Sequence, residues 1–414
     1  MSLSRTPDQS LPQAATTASS STRTAAVMFA GFCAFVTLYA PQPLLPMLAR
    51  EFHASAGAVS LVLTASTAAV ALAAPFAGVV ADRLGRKRVI VLSALLLSLP
   101  TAGAAASGSL TQMLVWRFWQ GVFTPGIFAV TIAYVNDEWE HGVGAAMSSY
   151  VAGTVLGGFS GRMISALVAA HSSWRWSFVV LAALDALCAA AMWVWLPPDR
   201  HFTRTRRAAS APRAMLGHLR NPPLLATYAV GFCVLFTLIA TFTYVNFYLA
   251  APPFRLGTTS LGLIFVVYLI GAVVTPVAGR AIDRLGHRFT LVAAFSGGIG
   301  GISLTLVPHL AAVLAGLALT STGVFIAQSA ASSYVGRLAQ SSRGAAVGLY
   351  VMFYYAGGSF GAAIPGRFWN RGGWPATVAL IAAVEVITIV LCILFWKPAA
   401  LALDHETYAA GQVG

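Results

Sequence analysis

The sequence predicts an all-α integral membrane protein in which twelve transmembrane helices form two pseudo-symmetric six-helix bundles. Of the 414 residues, 58% are apolar and only 9% are charged, and the mean hydropathy is +0.77. The apolar residues fall into twelve runs of a length that suits the roughly 20-residue helix needed to cross a bilayer, and the last six runs repeat the first six. Even a large soluble domain buries only about three quarters of its surface, so this composition excludes a soluble enzyme, a disordered chain and a secreted disulfide scaffold.

The order of the runs defines the domain organisation. The runs are approximately Ala25–Leu48, Ala58–Ala81, Val89–Ser107, Leu110–Val135, Gly144–Ala169, Trp174–Leu196, Leu224–Ala250, Ser260–Ile282, Phe289–Pro308, Ala311–Val335, Gly344–Phe368 and Trp374–Trp396. Residues 1–24 are rich in Ser, Thr, Ala and Gln and are expected to form a disordered tail. The longest break carries six arginines and is expected to be a loop or a short amphipathic segment. We therefore expect a bundle over 25–196, a linker over 197–223, a second bundle over 224–396 and a tail over 397–414.

The positive charge predicts the orientation of the chain, whose net charge is +13. Eighteen of the 25 Lys and Arg residues lie in the tails and in the loops on the side of the N-terminus, and five lie in the loops on the other side. Because cytoplasmic loops carry an excess of Lys and Arg, both termini are expected in the cytoplasm. The positions of the basic residues are those of a protein in a lipid bilayer, which is the expected partner. Nucleic acid is not expected as a partner.

The four cysteines all lie inside apolar runs and have neither disulfide nor zinc spacing. They are Cys33, Cys188, Cys233 and Cys392. We expect buried free thiols and no metal site.

The two halves of the chain are diverged copies of one sequence. Gly31 to Cys33 recurs as Gly231 to Cys233 at an offset of 200 residues, and Asp185 is matched by Glu385 at the same offset. Six spans followed by six spans in the same orientation form a parallel repeat, which places a substrate site near the midplane between the halves.

The loop after the second run has the pattern G-x-x-x-D-R-x-G-R-K, and the loop after the eighth run holds a degenerate copy. The residues are Gly78, Asp82, Arg83, Gly85, Arg86 and Lys87 in the first loop and Gly279, Asp283, Arg284 and Gly286 in the second. The pattern resembles the signature cytoplasmic loop of the major facilitator superfamily, and the resemblance extends from about residue 25 to residue 397.

The resemblance implies that these loops form a gate. Asp82 would lie against the N-terminus of span eleven near Gly344, and Asp283 against span five near Gly144. A helix N-terminus stabilises a carboxylate by about 0.3–2 kcal/mol. The alternative is that the loops only set topology, which explains their basic residues but not the repeated acid.

Run four contains Arg117, Gln120 and Gly121, which resemble the R-x-x-Q-G motif that the family associates with proton-linked transport. An arginine inside a span is costly unless it faces a polar cavity or a partner. Alternatively, Arg117 could extend its charged end to the membrane interface, because it lies about eight residues from the outer end of its run.

Run five carries glycines at positions 153, 157 and 161 and partly resembles the glycine-rich motif of drug/proton antiporters. Gly158 replaces the proline of that motif, and Arg162 stands where a glycine is usual. Close helix packing by Gly153, Gly157 and Gly161, repeated as Gly357 and Gly361, is the alternative to an antiporter role. Arg162 is expected to extend to the nearby outer interface rather than to act in transport.

Two further features bear on coupling. The proline-rich stretch Leu38–Pro46 and the stretch Tyr350–Gly361 are similar to the YnfM-type branch of the superfamily, bacterial inner-membrane proteins assigned to efflux. Asp185 and Glu385 lie mid-span in runs six and twelve, where an acid either carries protons or stays protonated beside a hydroxyl group.

The resemblance implies a secondary transporter that uses alternating access in a bacterial inner membrane, most simply a monomeric exporter driven by the proton gradient and needing no cofactor. Its cavity would lie between runs 1, 4, 7 and 10, and the candidate substrate contacts are Tyr39, Gln120, Tyr244, Asn246 and Gln328. These runs contain Arg117 and no mid-span acid, which favours neutral, apolar or anionic substrates. The alternatives are an importer of sugars or organic anions, a channel, and a membrane enzyme, although no paired catalytic groups occur at mid-depth.

Overall fold

The computed structural model describes residues 13–139, 142–199, 211–339 and 343–397, and every regular element in these residues is helical. Eight of the helices are each long and apolar enough to cross a membrane, which makes this a multi-pass membrane protein. The α-helices are α1 Gln13–Val36, α2 Leu45–Glu51, α3 Ala56–Leu84, α4 Arg86–Ala105, α5 Leu110–Glu138, α6 Val143–His171, α7 Trp174–Trp195, α8 Ala211–Leu219, α9 Pro222–Ala250, α10 Thr258–Leu263, α11 Val267–Leu304, α12 Leu310–Leu338, α13 Arg343–Ala363 and α14 Pro365–Phe395.

Two of the long helices each contain parts of two spans. α11 leaves helical geometry at Gly286, where φ is 80°, and α14 does so at Gly372 and Gly373. The part of α11 before Gly286 forms the eighth span with α10, and the part after it forms the ninth. In the same way α13 and the start of α14 form the eleventh span, and the rest of α14 forms the twelfth. With α1, α3 to α7, α9 and α12, the described chain has twelve spans, six in each half.

The first span is interrupted near its C-terminal end. α1 ends at Val36, and a 3-10 turn over Gln42–Leu44 leads into the short helix α2. The three prolines at positions 41, 43 and 46 explain the interruption, because proline lacks the N–H that a continuous helix needs.

The tails and the linker differ in part from the expectation. Residues 13–24, expected to belong to a disordered tail, are helical and continuous with the first span. Extending an existing helix costs far less than nucleating one, so the Ala, Ser and Thr residues before the apolar run continue it. The linker contains α8, and its residues 200–210 lie outside the described residues, as do residues 1–12 and 398–414.

Glycines bring equivalent helices into contact in the two halves. α1 packs against α6, and α9 packs against α13. A Cβ atom placed on Gly161 would lie 1.8 Å from the carbonyl oxygen of Val36, and one on Gly357 would lie 1.9 Å from that of Phe232. Gly153, Gly157 and Gly361 approach their partner backbones in the same way. These helices therefore touch backbone to backbone, which only glycine allows.

The two halves contact each other towards one face of the bundle. We call the face that carries the turns at Gly85 and Gly286 the motif face, and the other the opposite face. Near the opposite face, a Cβ on Gly366 would lie 2.6 Å from the Cα of Gly57, and one on Gly262 would lie 2.5 Å from the Cβ of Ala166.

Hydrogen bonds between the halves also lie towards the opposite face. Thr64 donates to the carbonyl oxygen of Ser359 at 3.1 Å, and the Ser359 hydroxyl donates to the Thr64 carbonyl at 3.3 Å. The amide of Gln42 also donates to the Thr243 hydroxyl at 3.4 Å near the opposite face. The space between the halves is therefore closed towards the opposite face.

Candidate functional site

A cavity of about 310 Å³ lies between the two halves. Among the described residues, six tyrosines, four phenylalanines and a single cation line it, and none of these lining residues is a carboxylate. The lining residues are Phe35, Tyr39, Phe128, Ile132, Tyr150, Thr154, Val155, Gly158, Phe159, Arg162, Leu235, Leu238, Tyr268, Phe325, Gln328, Tyr350, Val351, Tyr354 and Tyr355. Spans 1, 4, 5, 7, 8, 10 and 11 contribute them, which extends the expected set of spans by three.

Two of the five candidate substrate contacts line this cavity. Tyr39 forms part of the wall, and the side-chain oxygen of Gln328 accepts a hydrogen bond from the Tyr350 hydroxyl at 3.0 Å. The hydroxyl of Tyr244 donates to the carbonyl oxygen of Ala362 at 2.8 Å, away from the cavity wall.

The other two candidates are also held within the protein. The amide of Asn246 donates to the carbonyl of Phe242 in its own helix at 2.6 Å. Gln120 is buried between helices of the N-terminal half. Neither lines the cavity, so the expectation of substrate contact is not met in this conformation for Gln120, Tyr244 or Asn246.

The expectation for Arg162 was wrong. Its side chain is buried and lines the cavity instead of reaching the membrane interface. Nε donates to the side-chain oxygen of Gln42 at 2.7 Å, and Nη1 donates to the carbonyl of Gly158 at 2.6 Å. Gly158 lies one helical turn earlier on the same face, and its missing side chain leaves room for the guanidinium group. That spacing is the sequence signal that indicates which face Arg162 occupies.

Arg117 is fully buried, so it does not extend to the interface either. All five of its N–H groups have an acceptor. Nε donates to the Val62 carbonyl at 3.2 Å, Nη1 to the Thr37 carbonyl at 3.0 Å and to Gln120, and Nη2 to the Ser66 hydroxyl at 2.9 Å and to the Leu38 carbonyl. Since no donor is left over, Arg117 holds the end of the first span and offers nothing to a substrate.

A chain of hydrogen bonds leads from Arg117 to Asp185 across spans four, three and six. The amide nitrogen of Gln120 donates to the Thr101 hydroxyl at 2.9 Å, and that hydroxyl lies 2.9 Å from Asp185 Oδ2. The Cys33 thiol lies 3.9 Å from the other oxygen, Oδ1. The structure thus brings Arg117, Gln120 and Asp185 together, through a threonine that the sequence did not single out.

Glu385 has no such surroundings, although it is the repeat-equivalent of Asp185. It is fully buried, and neither carboxyl oxygen has a hydrogen-bond partner in the described part of the chain. The offset of 202 residues that relates Gly121 to Gly323 places Leu319 at the position of Arg117. The C-terminal half therefore has an acid equivalent to Asp185 but no arginine equivalent to Arg117.

The first loop of the predicted gate is organised by two acids outside the motif. Gly85 has a φ of 91°, and a Cβ there would lie 2.7 Å from the carboxylate of Asp199. The other oxygen of Asp199 accepts from the backbone N–H of Lys87 at 3.1 Å, so this carboxylate caps α4. Arg86 forms an ion pair with Asp137 at the end of α5.

The acids predicted to close the gate are both exposed. Asp82 and Asp283 have no hydrogen bond or ion pair with any described residue, and Arg83 and Arg284 are exposed beside them. A Cβ on Gly344 or Gly144, the expected contact points, would meet nothing within 4 Å. The same is true at Gly78 and Gly279. The gate contacts are thus not formed in this conformation, which is open at the motif face.

Two six-helix halves related by an internal repeat, with a cavity between them that is closed towards one face, define a secondary membrane transporter. The chain belongs to the Major Facilitator Superfamily, whose family model matches residues 27–362 and 254–410. The fold class and the family expected from the sequence are therefore confirmed, and the protein is a transporter rather than an enzyme.

Relatives and solved structures agree with this assignment. The chain is 33% identical to the uncharacterized MFS-type transporter YybF of Bacillus subtilis, over 92% of this chain and 93% of that protein. It is 32% identical to the inner membrane transport protein YnfM of Escherichia coli, over 89% of each chain. The fold is similar to the nucleoside transporter NupG, with a TM-score of 0.75 at 14% identity over 90% of this chain and 100% of that one. It is also similar to the human organic anion transporter MFSD10, with a TM-score of 0.68 at 17% identity over 90% and 99% of the two chains.

Proposed function

We propose that this transporter is a proton-coupled exporter of small organic molecules that works by alternating access, as a monomer, in a bacterial inner membrane. Both termini, and with them the motif face, lie in the cytoplasm in this proposal, so the present conformation is open to the cytoplasm. A lining with one cation and no acid supports neutral, apolar or anionic substrates. One chain contains both the cavity and the buried polar chain, which supports a monomer as the working unit.

Proton coupling rests on the hydrogen bonds of Thr101. Its hydroxyl receives a hydrogen bond from Gln120 and lies at acceptor distance from both the Leu97 carbonyl, 2.8 Å away, and Asp185, 2.9 Å away. A hydroxyl has one proton to give and two lone pairs. All three contacts are satisfied together only when Asp185 carries a proton and donates it to Thr101, while Thr101 donates to Leu97.

The geometry therefore favours a protonated Asp185 in this conformation. Its other oxygen, Oδ1, is then a carbonyl-type acceptor that faces the Cys33 thiol. An ionised Asp185 would lose one contact of Thr101 and would leave a buried charge with no cation touching it, which is costly inside a membrane. Asp185 is the proton carrier of the proposed cycle.

The polar chain also leads from Asp185 to the cavity. Arg117 holds the carbonyls of Thr37 and Leu38, where the first span is interrupted, and Tyr39, the next residue, forms part of the cavity wall. A change in protonation that moves Gln120 alters the hold of Arg117 on this interruption. This gives a contiguous route by which a proton biases the shape of the cavity.

The test is transport in proteoliposomes by Asp185→Asn, with Glu385→Gln as the matched control. Asparagine mimics the protonated carboxyl, so Asp185→Asn is expected to retain substrate counterflow and to lose accumulation driven by a pH gradient. Glu385→Gln alters the repeat-equivalent acid that lacks the polar chain and is expected to retain both. Accumulation by Asp185→Asn at the wild-type level would show that Asp185 does not carry the proton.

The direction of coupling is decided in the same assay. A panel of metabolites and drugs identifies a substrate by counterflow, and its accumulation against the direction of proton flow supports antiport. Accumulation in the direction of proton flow would replace the exporter by a proton-coupled importer of sugars or organic anions.

A further inference from the structure

We infer that Arg162 and Tyr268 form an anion subsite at the closed end of the cavity, which takes the carboxylate of a compact aromatic acid. The inference rests on the proposed function, because it names the substrate class of the same cavity. It also gives Arg162 a role that the glycine-rich pattern of its helix does not require, since its neighbour Gly161 makes the helix contact.

Arg162 has hydrogen-bonding capacity to spare, unlike Arg117. Two of its five N–H groups are used, on the neutral acceptors Gln42 and Gly158. No other acceptor among the described residues takes the remaining three. The described residues that line the cavity include no carboxylate, so the positive charge has no counter-charge among them.

Aromatic rings hold the guanidinium group at the cavity wall. Its central carbon lies 5.0 Å from the ring centroid of Tyr39 and 4.7 Å from the centroids of both Phe265 and Tyr268. Such contacts stabilise a cation without neutralising it. The charge is thus tolerated at this depth and remains available to an anion.

Tyr268 supplies a second donor beside the arginine. The residue lines the cavity and is 8% exposed, and its hydroxyl has no hydrogen-bond partner in the part of the chain that the structure describes. Leaving a buried hydroxyl unpaired is unfavourable, and a carboxylate oxygen between Tyr268 and Arg162 would satisfy it together with free guanidinium N–H groups.

The rest of the cavity wall indicates what kind of molecule would carry the carboxylate. Tyrosine and phenylalanine side chains dominate the wall, and about 310 Å³ lies at the lower end of the roughly 300–1,000 Å³ range of small-molecule sites. Flat apolar bodies stack well on such rings. A compact aromatic monocarboxylic acid matches both the wall and the anion subsite.

The experiment compares two ligands of the same shape on purified protein in nanodiscs. The probes are 1-naphthoate and its neutral amide, 1-naphthamide, and binding is measured by calorimetry or by quenching of tryptophan fluorescence. The wild type is expected to bind the acid roughly tenfold to hundredfold more tightly than the amide, as charge-assisted hydrogen bonds contribute to binding. Equal binding of the two probes, or no binding of the acid, would overturn the inference without any variant.

Variants then assign the preference to residues. Arg162→Gln is expected to bind acid and amide equally, Arg162→Lys to retain part of the preference, and Tyr268→Phe to weaken only the acid. The control is Arg175→Gln, which removes an exposed cation near the opposite face. If Arg162→Gln keeps the preference, or if Arg175→Gln loses it, the subsite is not at Arg162.

Two further arms separate the alternatives. Naphthalene-1-sulfonate and inorganic phosphate test whether any anion suffices, and tight binding of phosphate alone would contradict an organic acid. Asp185→Asn is expected to bind naphthoate as the wild type does while losing gradient-driven transport. An acid preference without gradient-driven transport in the wild type would therefore refute proton coupling and leave the anion subsite standing.

Discussion

The hydroxyl of Thr101 lies 2.9 Å from the carboxyl of Asp185 and 2.9 Å from the amide nitrogen of Gln120, so it bridges the two side chains. The contact with Asp185 joins the third and sixth spans in the buried interior of the N-terminal half. Through Gln120, the Thr101 hydroxyl connects Asp185 to Arg117. No direct ion pair joins this acid and this arginine. A proton at Asp185 can therefore be exchanged without breaking a charged contact of the arginine.

Thr101→Val removes this link and keeps the shape of the side chain. We expect loss of gradient-driven accumulation with counterflow retained, because Asp185 can no longer influence Gln120. Thr101→Ser keeps the hydroxyl and is expected to retain coupling. The measurement is the ratio of gradient-driven to counterflow transport in proteoliposomes, and an unchanged ratio in Thr101→Val would contradict the proposed route.

Arg117→Ala is expected to abolish driven transport and also to lower the stability of the protein. It removes five hydrogen bonds from a buried site and leaves the Leu38 carbonyl without a donor among the described residues, and a buried group left unpaired costs about 1–3 kcal/mol. Arg162→Ala removes only two hydrogen bonds, to Gln42 and to the Gly158 carbonyl beside the cavity, so it should unfold at a higher temperature than Arg117→Ala and lose acid binding instead. Thermal unfolding in detergent measures the difference, and the reverse order would be inconsistent with the hydrogen bonds described.

The sequence predicted those features of the fold that depend on local chemistry or on the repeat. The prolines at positions 41, 43 and 46 interrupt the first span, and the repeat places Gly161 and Gly361 at equivalent helix contacts. Apolar length and the internal offset suffice for such features, since neither depends on how a helix is rotated about its axis.

The sequence did not predict features that depend on that rotation or on distant loops. Arg162 was expected at the membrane interface, because distance from the end of a run does not say which face of the helix a residue occupies. Thr101 resembles any other threonine in an apolar run until spans three and six are packed together. Asp199 caps α4 from a segment 112 residues away along the chain.

Gly161→Ala is expected to destabilise the contact between α1 and α6. The added Cβ would overlap the carbonyl of Val36, and such overpacking typically costs about 1–3 kcal/mol. Gly300→Ala is the matched control, because a Cβ at that exposed helical glycine meets nothing within 4 Å. The thermal unfolding temperature should fall for the first variant only, and equal melting of the two would disprove the close contact.

Asp199→Ala is expected to lower the free energy of unfolding by about 1 kcal/mol, since α4 loses its cap. Asp199→Asn keeps an acceptor for the N–H of Lys87 and should lose less. Thermal unfolding of both variants tests this, and an effect of the asparagine variant equal to that of the alanine variant would mean that charge rather than the hydrogen bond is responsible.

Asp82→Asn should shift the protein towards the conformation described here. Asp82 is exposed and unpartnered among the described residues, so its charge stabilises nothing in this state. The proposed contact with the N-terminus of α13 forms only when the motif face closes. If that contact contributes about 1–2 kcal/mol, its loss changes the ratio of the two conformations roughly 5–30-fold, with little effect on substrate affinity within either one.

Asp283→Asn should act in the same direction but less, because the second loop carries His287 in place of Arg86. Arg88→Gln removes an exposed charge just after the first loop and serves as the control for a general effect of charge. Distances between spin labels on the two loops report the populations of the two conformations. Since Asp82 is placed to stabilise only the closed motif face, a distance distribution in folded Asp82→Asn that matches both the wild type and Arg88→Gln would mean that this loop sets topology and does not gate the cavity.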